Sequence, residues 1–196
     1  MSIRVDAYTS LGKAAGLLTR APHLHDALEG PPALILEEVS WQPLDMPTGR
    51  PSGEVSIPVD DVLLAVADDD TPLPVHHAWH QVSLEVGPYA VEGELPTLPG
   101  FDPGRALTRP SGEFVLLREI RVRRLDDPDG EPAVAAYALV NRYGVERVTA
   151  DIMLGFFFPG AAMGAAEAGT TSAPSASGAS GTAPSTPQPS GQGAPA

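Results

Sequence analysis

The side chains best suited to metal chemistry form one short cluster, His76-His77-Ala78-Trp79-His80. His76 and His80 would share a face if this stretch were helical, and imidazole nitrogens are ligands for zinc and nickel. The cluster follows a proline-rich stretch and precedes a predicted strand, and no carboxylate stands at a fixed spacing as a third ligand. A metal-dependent enzyme using His76 to His80 is therefore an alternative. The preferred interpretation is a junction without metal, in which Trp79 packs at the interface between two domains of the chain.

A second group that could do chemistry is a run of arginines in Phe114 to Leu125. Guanidinium groups bind carboxylates and phosphates through two parallel hydrogen bonds, and Arg121 and Arg123 share one face of a strand. Arg118, Arg121 and Arg123 are therefore candidate ligands for a small anion, such as a nucleotide or a phospholipid headgroup. A regulatory domain that binds such an anion is therefore a second alternative. The preferred interpretation is that these arginines pair with Asp126, Asp127 or Glu131, in the turn after the strand, or with the acidic first copy.

Other catalytic arrangements are missing from the sequence. It contains no cysteine, which excludes disulfides, thiolate metal sites and a cysteine nucleophile. It has no Gly-x-Ser-x-Gly elbow and no glycine-rich phosphate loop. We predict no catalytic residue, no cofactor and a non-enzymatic binding or assembly protein that acts through protein–protein contacts.

The arginine run belongs to a strand around which the chain is organised. Residues 114–125 begin with four apolar residues and then alternate, and residues 33–44 repeat this pattern more weakly. Around these two stretches the same order recurs: strand, strand, short helix, strand, strand, strand. Glu119-Ile120 falls on Glu38-Val39, and Val140-Asn141 falls on Val59-Asp60. The sequence thus predicts an internal duplication.

The predicted fold is mainly β, with two tandem small SH3-like or Sm-like β-barrels or β-sandwiches, each with one short helix. The predicted boundaries are residues 1–70 for the first copy, 71–80 for a linker and 81–151 for the second copy. Residues 152–163 form an apolar docking segment, and residues 164–196 form a disordered tail rich in Ala, Gly, Ser and Pro.

Three short stretches of the second copy carry a resemblance: Val91-Glu92-Gly93-Glu94-Leu95, Phe114-Val115-Leu116-Leu117 and Tyr137-Ala138-Leu139-Val140-Asn141-Arg142. The chain resembles a group of small bacterial β-domains of uncharacterised function. That resemblance implies a β-rich fold. It implies no activity and supplies no site residues.

The docking segment has no counterpart in the first copy and contains Phe156, Phe157 and Phe158. Neighbouring residues of a strand point to opposite faces, so three consecutive phenylalanines cannot all enter one core from a strand. We predict that they contact a protein partner or a second copy of the chain. The alternative is that the segment covers the seam between the two copies.

Charge and hydropathy limit the partners. A net charge of −13 disfavours binding to nucleic acid, whose affinity for proteins rests on neutralising phosphates. No window of the sequence reaches the roughly 18 apolar residues of a membrane span, and the first residues lack the pattern of a secretion signal. We predict a cytoplasmic location and, from the preference for Arg over Lys, a bacterial source.

Overall fold

The computed structural model describes residues 2–46, 48–68, 73–75, 77–98, 112–152, 154 and 156–165. Two regions are referred to below as the first half (residues 2–68) and the second half (residues 78–150). The elements, in chain order, are β1 Ile3–Thr9, β2 Gly12–Leu18, α1 Leu24–Glu29, β3 Ala33–Pro43, β4 Arg50–Pro58, a 3-10 turn Val59–Asp61, β5 Val62–Asp68, β6 Ala78–Val86, β7 Tyr89–Thr97, β8 Phe114–Arg124, β9 Ala133–Asn141, β10 Val145–Ala150 and β11 Ala162–Ala165.

The prediction of a mainly β chain is confirmed. The described strands form one open sheet in the order β11-β10-β6-β7-β8-β9-β5-β1-β2-β3-β4. Within it, the first half has the order β5-β1-β2-β3-β4 and the second half has the order β10-β6-β7-β8-β9. The finer prediction of two small barrels stays a prediction. No described helix is both long enough and apolar enough to cross a membrane.

The two organising strands share an unusual backbone feature. Glu38 in β3 has a φ of 52° and Glu119 in β8 has a φ of 53°, and residues other than glycine rarely adopt such values. These are the positions that the sequence comparison matched. In each strand the left-handed residue shifts the alternation of buried and exposed side chains by one position. The residues that directly follow, Val39 and Ile120, are therefore buried, at 2% and 0% exposure.

A glycine faces each of these irregularities from the neighbouring strand. A Cβ atom on Gly16 of β2 would lie 2.9 Å from the carbonyl oxygen of Glu37, and one on Gly93 of β7 would lie 3.0 Å from that of Arg118. The β2–β3 register shifts next to Gly16 and the β7–β8 register shifts next to Gly93. Close backbone approach therefore requires glycine at both places.

Two hydrophobic cores meet where β5 pairs with β9. Val62 and Ala65 of β5 lie in the first core with Leu139 of β9, whereas Leu64 and Val140 lie in the second core. The paired residues are Leu64 with Val140 and Ala65 with Leu139. Both faces of the sheet are buried there, which explains why β5 and the end of β9 are apolar at consecutive positions.

Several predicted boundaries differ from the observed elements. β6 begins at Ala78, inside the predicted linker of residues 71–80. β11 includes Gly164 and Ala165, which the sequence assigned to the tail, because it pairs in parallel with β10 through its backbone. α1 provides the short helix of the first half, with Leu24 and Leu28 in its core. The second predicted helix, near Pro103, and the tail from residue 166 lie outside the described residues.

Candidate functional site

The structure separates the three candidate arginines. Arg118 donates from Nε to Oε2 of Glu94 at 2.7 Å, and its Nη2 lies 2.6 Å from the same oxygen. The guanidinium group also stacks over the ring of Trp79, 3.9 Å from the ring centroid. Two predicted site residues, Trp79 and Arg118, are thus in direct contact, and Glu94 neutralises the charge of the arginine.

Arg121 is exposed on β8, opposite Glu92 in the strand register. Arg123 is half-buried, and its Nη1 lies 3.6 Å from Oε1 of Glu92. It is the only one of the three candidates that lines a described cavity. The carboxylate partners of Arg118 and Arg123 lie on β7 rather than in the turn after β8, where the sequence interpretation placed them.

The phenylalanine run packs mainly inside the chain. Phe158 is fully buried and Phe157 is 9% exposed, both in the second core. Phe156 is half-buried, with its ring centroid 4.6 Å from that of Phe157. Phe157 and Phe158 therefore expose too little surface to contribute much to the predicted interface. Whether Phe156 contacts a partner stays a prediction.

The histidine cluster is described only in part, since His76 lies outside the described residues. His80 Nε2 shares a hydrogen bond of 3.0 Å with Thr97 Oγ1, and its Nδ1 lies 3.8 Å from Asp151. His77 Nδ1 lies 3.0 Å from the carbonyl oxygen of Val75. Within the described ranges, no three His, Cys, Asp or Glu side chains are grouped closely enough to hold a metal ion.

A cavity of about 210 Å³ lies at the seam between the halves, and we call it the seam cavity. Ligand sites in proteins usually have about 300 Å³ or more, so a cavity of this size suits a small ligand. The first half supplies side chains from β1, β2 and the end of β3, and the second half supplies β7, β8, β9 and the turn at residues 125–132. Its lining is Tyr8, Lys13, Gln42, Pro43, Leu44, Tyr89, Val122, Arg123, Arg124, Asp127, Gly130, Glu131 and Ala133.

Two buried tyrosines, one from each half, form the aromatic wall of the cavity. The rings of Tyr8 and Tyr89 meet edge to face with centroids 5.2 Å apart. Burial raises the pKa of Tyr8 and raises that of Tyr89 to about 12, so both phenols stay protonated near neutral pH. The hydroxyl of Tyr89 has no hydrogen-bond partner among the described residues, although the residue is only 3% exposed. A buried donor without an acceptor is costly, so this hydroxyl weakens the packing at the seam.

Three cations line the cavity, and each has a carboxylate partner. Lys13 Nζ lies 3.2 Å from Asp6 and 5.8 Å from the centroid of the Tyr8 ring. Arg124 donates from Nε to Asp126 at 2.8 Å and forms a second, shorter contact with it. This pairing holds the pKa of Asp126 below its ordinary value. Together with Arg123, these groups place positive charge on the wall of the cavity despite the acidic chain.

Two further carboxylates of the lining, Asp127 and Glu131, make no ion pair among the described residues. Both lie in the turn between β8 and β9, where Gly130 packs closely against the Asp127 carboxylate. The cavity therefore offers groups of both charge signs beside apolar surface from Leu44 and Val122. Such a lining can hold a carboxylate and an ammonium group at the same time.

Comparison of the chain with protein-family models, with curated proteins and with solved structures found no significant match. Sequence reasoning singled out Arg123 but missed the tyrosines and Lys13, and it considered Asp127 and Glu131 only as partners of the arginines. No short motif joins these residues, because they stand on four strands and one turn that meet only in the folded chain.

Proposed function

We propose that the protein is a non-enzymatic binding protein whose ligand is a small organic zwitterion of amino-acid size, held in the seam cavity. The observation that carries this proposal is a cavity whose lining supplies guanidinium, ammonium and carboxylate groups beside two buried tyrosine rings. The ligand carboxylate faces Arg123 and Arg124, and the ammonium group faces Asp127 and Glu131. Leu44, Val122 and the tyrosine rings accept the apolar part.

Arg123 is the arginine best placed to change partners. Its contact with Glu92 is 3.6 Å long and both side chains are partly exposed. Exposed ion pairs of this kind contribute about 0–1 kcal/mol. Moving the guanidinium group from Glu92 to a ligand carboxylate therefore costs little. A binding role rather than catalysis is favoured because the described lining contains no histidine, serine or cysteine.

The charge requirement can be tested with three compounds that share one carbon skeleton. L-leucine carries both charges, 4-methylpentanoate lacks the ammonium group and 3-methylbutylamine lacks the carboxylate. A ligand that binds only the folded state raises its stability, so thermal shift followed by titration calorimetry ranks the three. We expect leucine to bind most tightly. Equal binding of the acid would reduce the ligand class to a simple anion, and no binding of any compound would overturn the proposal.

A matched pair of variants locates the site. Arg123→Gln removes a cation from the cavity, whereas Arg147→Gln removes one that also lies 3.6 Å from a carboxylate, Glu85, but stands on β10 away from the cavity. We expect at least tenfold weaker leucine binding in Arg123→Gln and unchanged binding in Arg147→Gln. The same loss in both variants would show that overall charge, and not the cavity, determines binding.

We also propose that the two halves are copies of one small unit of the SH3-like or Sm-like type. Support comes from the repeated strand order and from the matched left-handed residues Glu38 and Glu119. A third irregularity agrees with this. The β1–β5 register shifts between the pairs Tyr8–Leu64 and Thr9–Val62, and the β6–β10 register shifts between Glu85–Arg147 and Val86–Val145. The seam cavity then arises from the packing of one copy on the other.

A further inference from the structure

The ion pairs around the seam cavity show which charges of its lining are already balanced. Each of the three cations in the lining pairs with a carboxylate that is not itself part of the lining. These pairs are Lys13–Asp6, Arg123–Glu92 and Arg124–Asp126. The positive charges of the cavity wall are therefore neutralised from outside the cavity.

The two carboxylates of the lining, Asp127 and Glu131, are not balanced in this way. Neither makes an ion pair with another described residue. Asp127 lies near Arg124 and helps to raise its pKa, but the hydrogen bond from Asp126 is the first cause of that rise. The lining together with its partners thus carries two negative charges in excess.

The turn between β8 and β9 fixes the position of Asp127. The N–H of Gly130 donates to the carbonyl oxygen of Asp127 at 3.2 Å, which closes a turn with Pro128 and Asp129 at its centre. Aspartate, proline and glycine are favoured at the first, second and fourth positions of such turns. A Cβ atom on Gly130 would lie 2.5 Å from Asp127 Oδ2, so the carboxylate occupies space that glycine leaves free.

The cations differ in how easily they can exchange partners. Arg124 binds Asp126 through its Nε at 2.8 Å and through a second contact, and such two-point pairs are the stronger kind. The contact of Arg123 with Glu92 is 3.6 Å long, and both side chains are partly exposed. The cavity is therefore better prepared for one ligand carboxylate, at Arg123, than for two.

We infer that the ligand of the seam cavity is a basic amino acid, which carries one carboxylate and two cationic groups. This inference rests on the function proposed above and narrows its ligand class. The carboxylate binds Arg123, and the cationic groups face Asp127 and Glu131. A ligand with a net positive charge complements the excess negative charge of the site, whereas leucine has no net charge.

Three amino acids with side chains of equal carbon number test the sign of the preferred charge. The side chain of L-lysine ends in an ammonium group, that of L-norleucine in a methyl group and that of L-2-aminoadipate in a carboxylate. Titration calorimetry of the full chain at low salt measures the three affinities. Ion pairs at an exposed rim are weak, so we expect lysine to bind about fivefold more tightly than norleucine, and aminoadipate to bind more weakly than both. The advantage of lysine should shrink at high salt, which screens exposed charges.

A matched pair of variants separates the cavity from the charge of the whole chain. Glu131→Gln removes a carboxylate from the lining, whereas Glu146→Gln removes an exposed carboxylate of β10 that lies outside the lining. Both variants change the net charge equally. We expect the ratio of lysine affinity to norleucine affinity to fall about twofold in Glu131→Gln and to stay unchanged in Glu146→Gln.

Gly130→Ala moves one carboxylate without changing any charge. Gly130 has no positive φ, so alanine is compatible with the backbone there, and the added methyl group displaces the Asp127 carboxylate. We expect a smaller preference for lysine in this variant, with the melting temperature of the ligand-free protein retained.

The outcomes distinguish this inference from the proposed function. Norleucine binding at least as tightly as lysine would overturn the inference and leave the proposed function standing. An equal fall of the affinity ratio in Glu131→Gln and Glu146→Gln would also overturn it, because the charge of the whole chain would then be the cause. Failure of all three amino acids to bind would overturn the proposed function, and the inference with it.

Discussion

Replacing Tyr89 by phenylalanine removes one buried hydroxyl group beside the seam cavity. The ring of Tyr89 is 3% exposed and packs edge to face on Tyr8, and phenylalanine retains that contact. The hydroxyl has no partner among the described residues. Leaving a buried donor unsatisfied costs about 1–3 kcal/mol, so its removal should stabilise the ligand-free protein by about 1 kcal/mol.

Urea denaturation of the ligand-free protein measures this difference directly. For a chain of this length, about 1 kcal/mol corresponds to a rise of about 2–4 °C in melting temperature. Tyr143→Phe is the control, because Tyr143 is 61% exposed and its hydroxyl can reach water. A loss of 1 kcal/mol or more in the ligand-free variant would refute the reasoning, because it would mean that the hydroxyl already has a partner.

Three further predictions concern the fold. Burial raises the pKa of Tyr8 and Tyr89 above the ordinary 10, to about 12 for Tyr89. The unfolded chain then loses these protons first as the pH rises above 10, so the unfolding free energy should fall between pH 10 and 12, and it should fall less in Tyr89→Phe. A flat profile of the parent chain in this range would contradict the prediction. Glu119→Gly should stabilise by about 0.5–1 kcal/mol in chemical denaturation, because glycine adopts a φ of 53° without steric cost, and a net loss would argue against strain there. Phe158→Ala should destabilise by about 3–5 kcal/mol and half-exposed Phe156→Ala by much less, whereas equal effects would show that Phe158 is not a core residue.

The strands could be predicted well from local patterns, since apolar alternation is a property of neighbouring residues. Val39 and Ile120 were expected in a core, and both are buried. The sequence also indicates where one half packs on the other. Val62 to Ala67 is apolar at six consecutive positions, which is typical of a strand buried on both faces, whereas β4 at the free edge alternates with polar residues.

The sequence match between the two halves was displaced by two residues in its last part. The sequence pattern placed Val140 on Val59, but the strand register places it on Ile57. The cause is the turn before β9, which spans eight residues (125–132), whereas the turn before β4 spans six (44–49). The longer turn carries Asp127 and Glu131, so this difference between the halves also supplies two charges of the seam cavity.

Little of the candidate site could be predicted from the sequence. Arg118 and Arg123 look alike in the sequence, and only the fold shows that Arg118 stacks on Trp79 while Arg123 lines a cavity. Tyr8 and Tyr89 are 81 positions apart, and their contact depends on how β5 joins β9. Nothing in the residues around either tyrosine encodes that junction.

A crystal structure of the protein soaked with L-leucine tests the central claim most directly. We expect electron density for the ligand in the seam cavity, with its carboxylate within hydrogen-bonding distance of Arg123 or Arg124 and its ammonium group within hydrogen-bonding distance of Asp127 or Glu131. An empty cavity at saturating leucine, or a Tyr89 hydroxyl bonded to a protein group in the ligand-free crystal, would contradict the account.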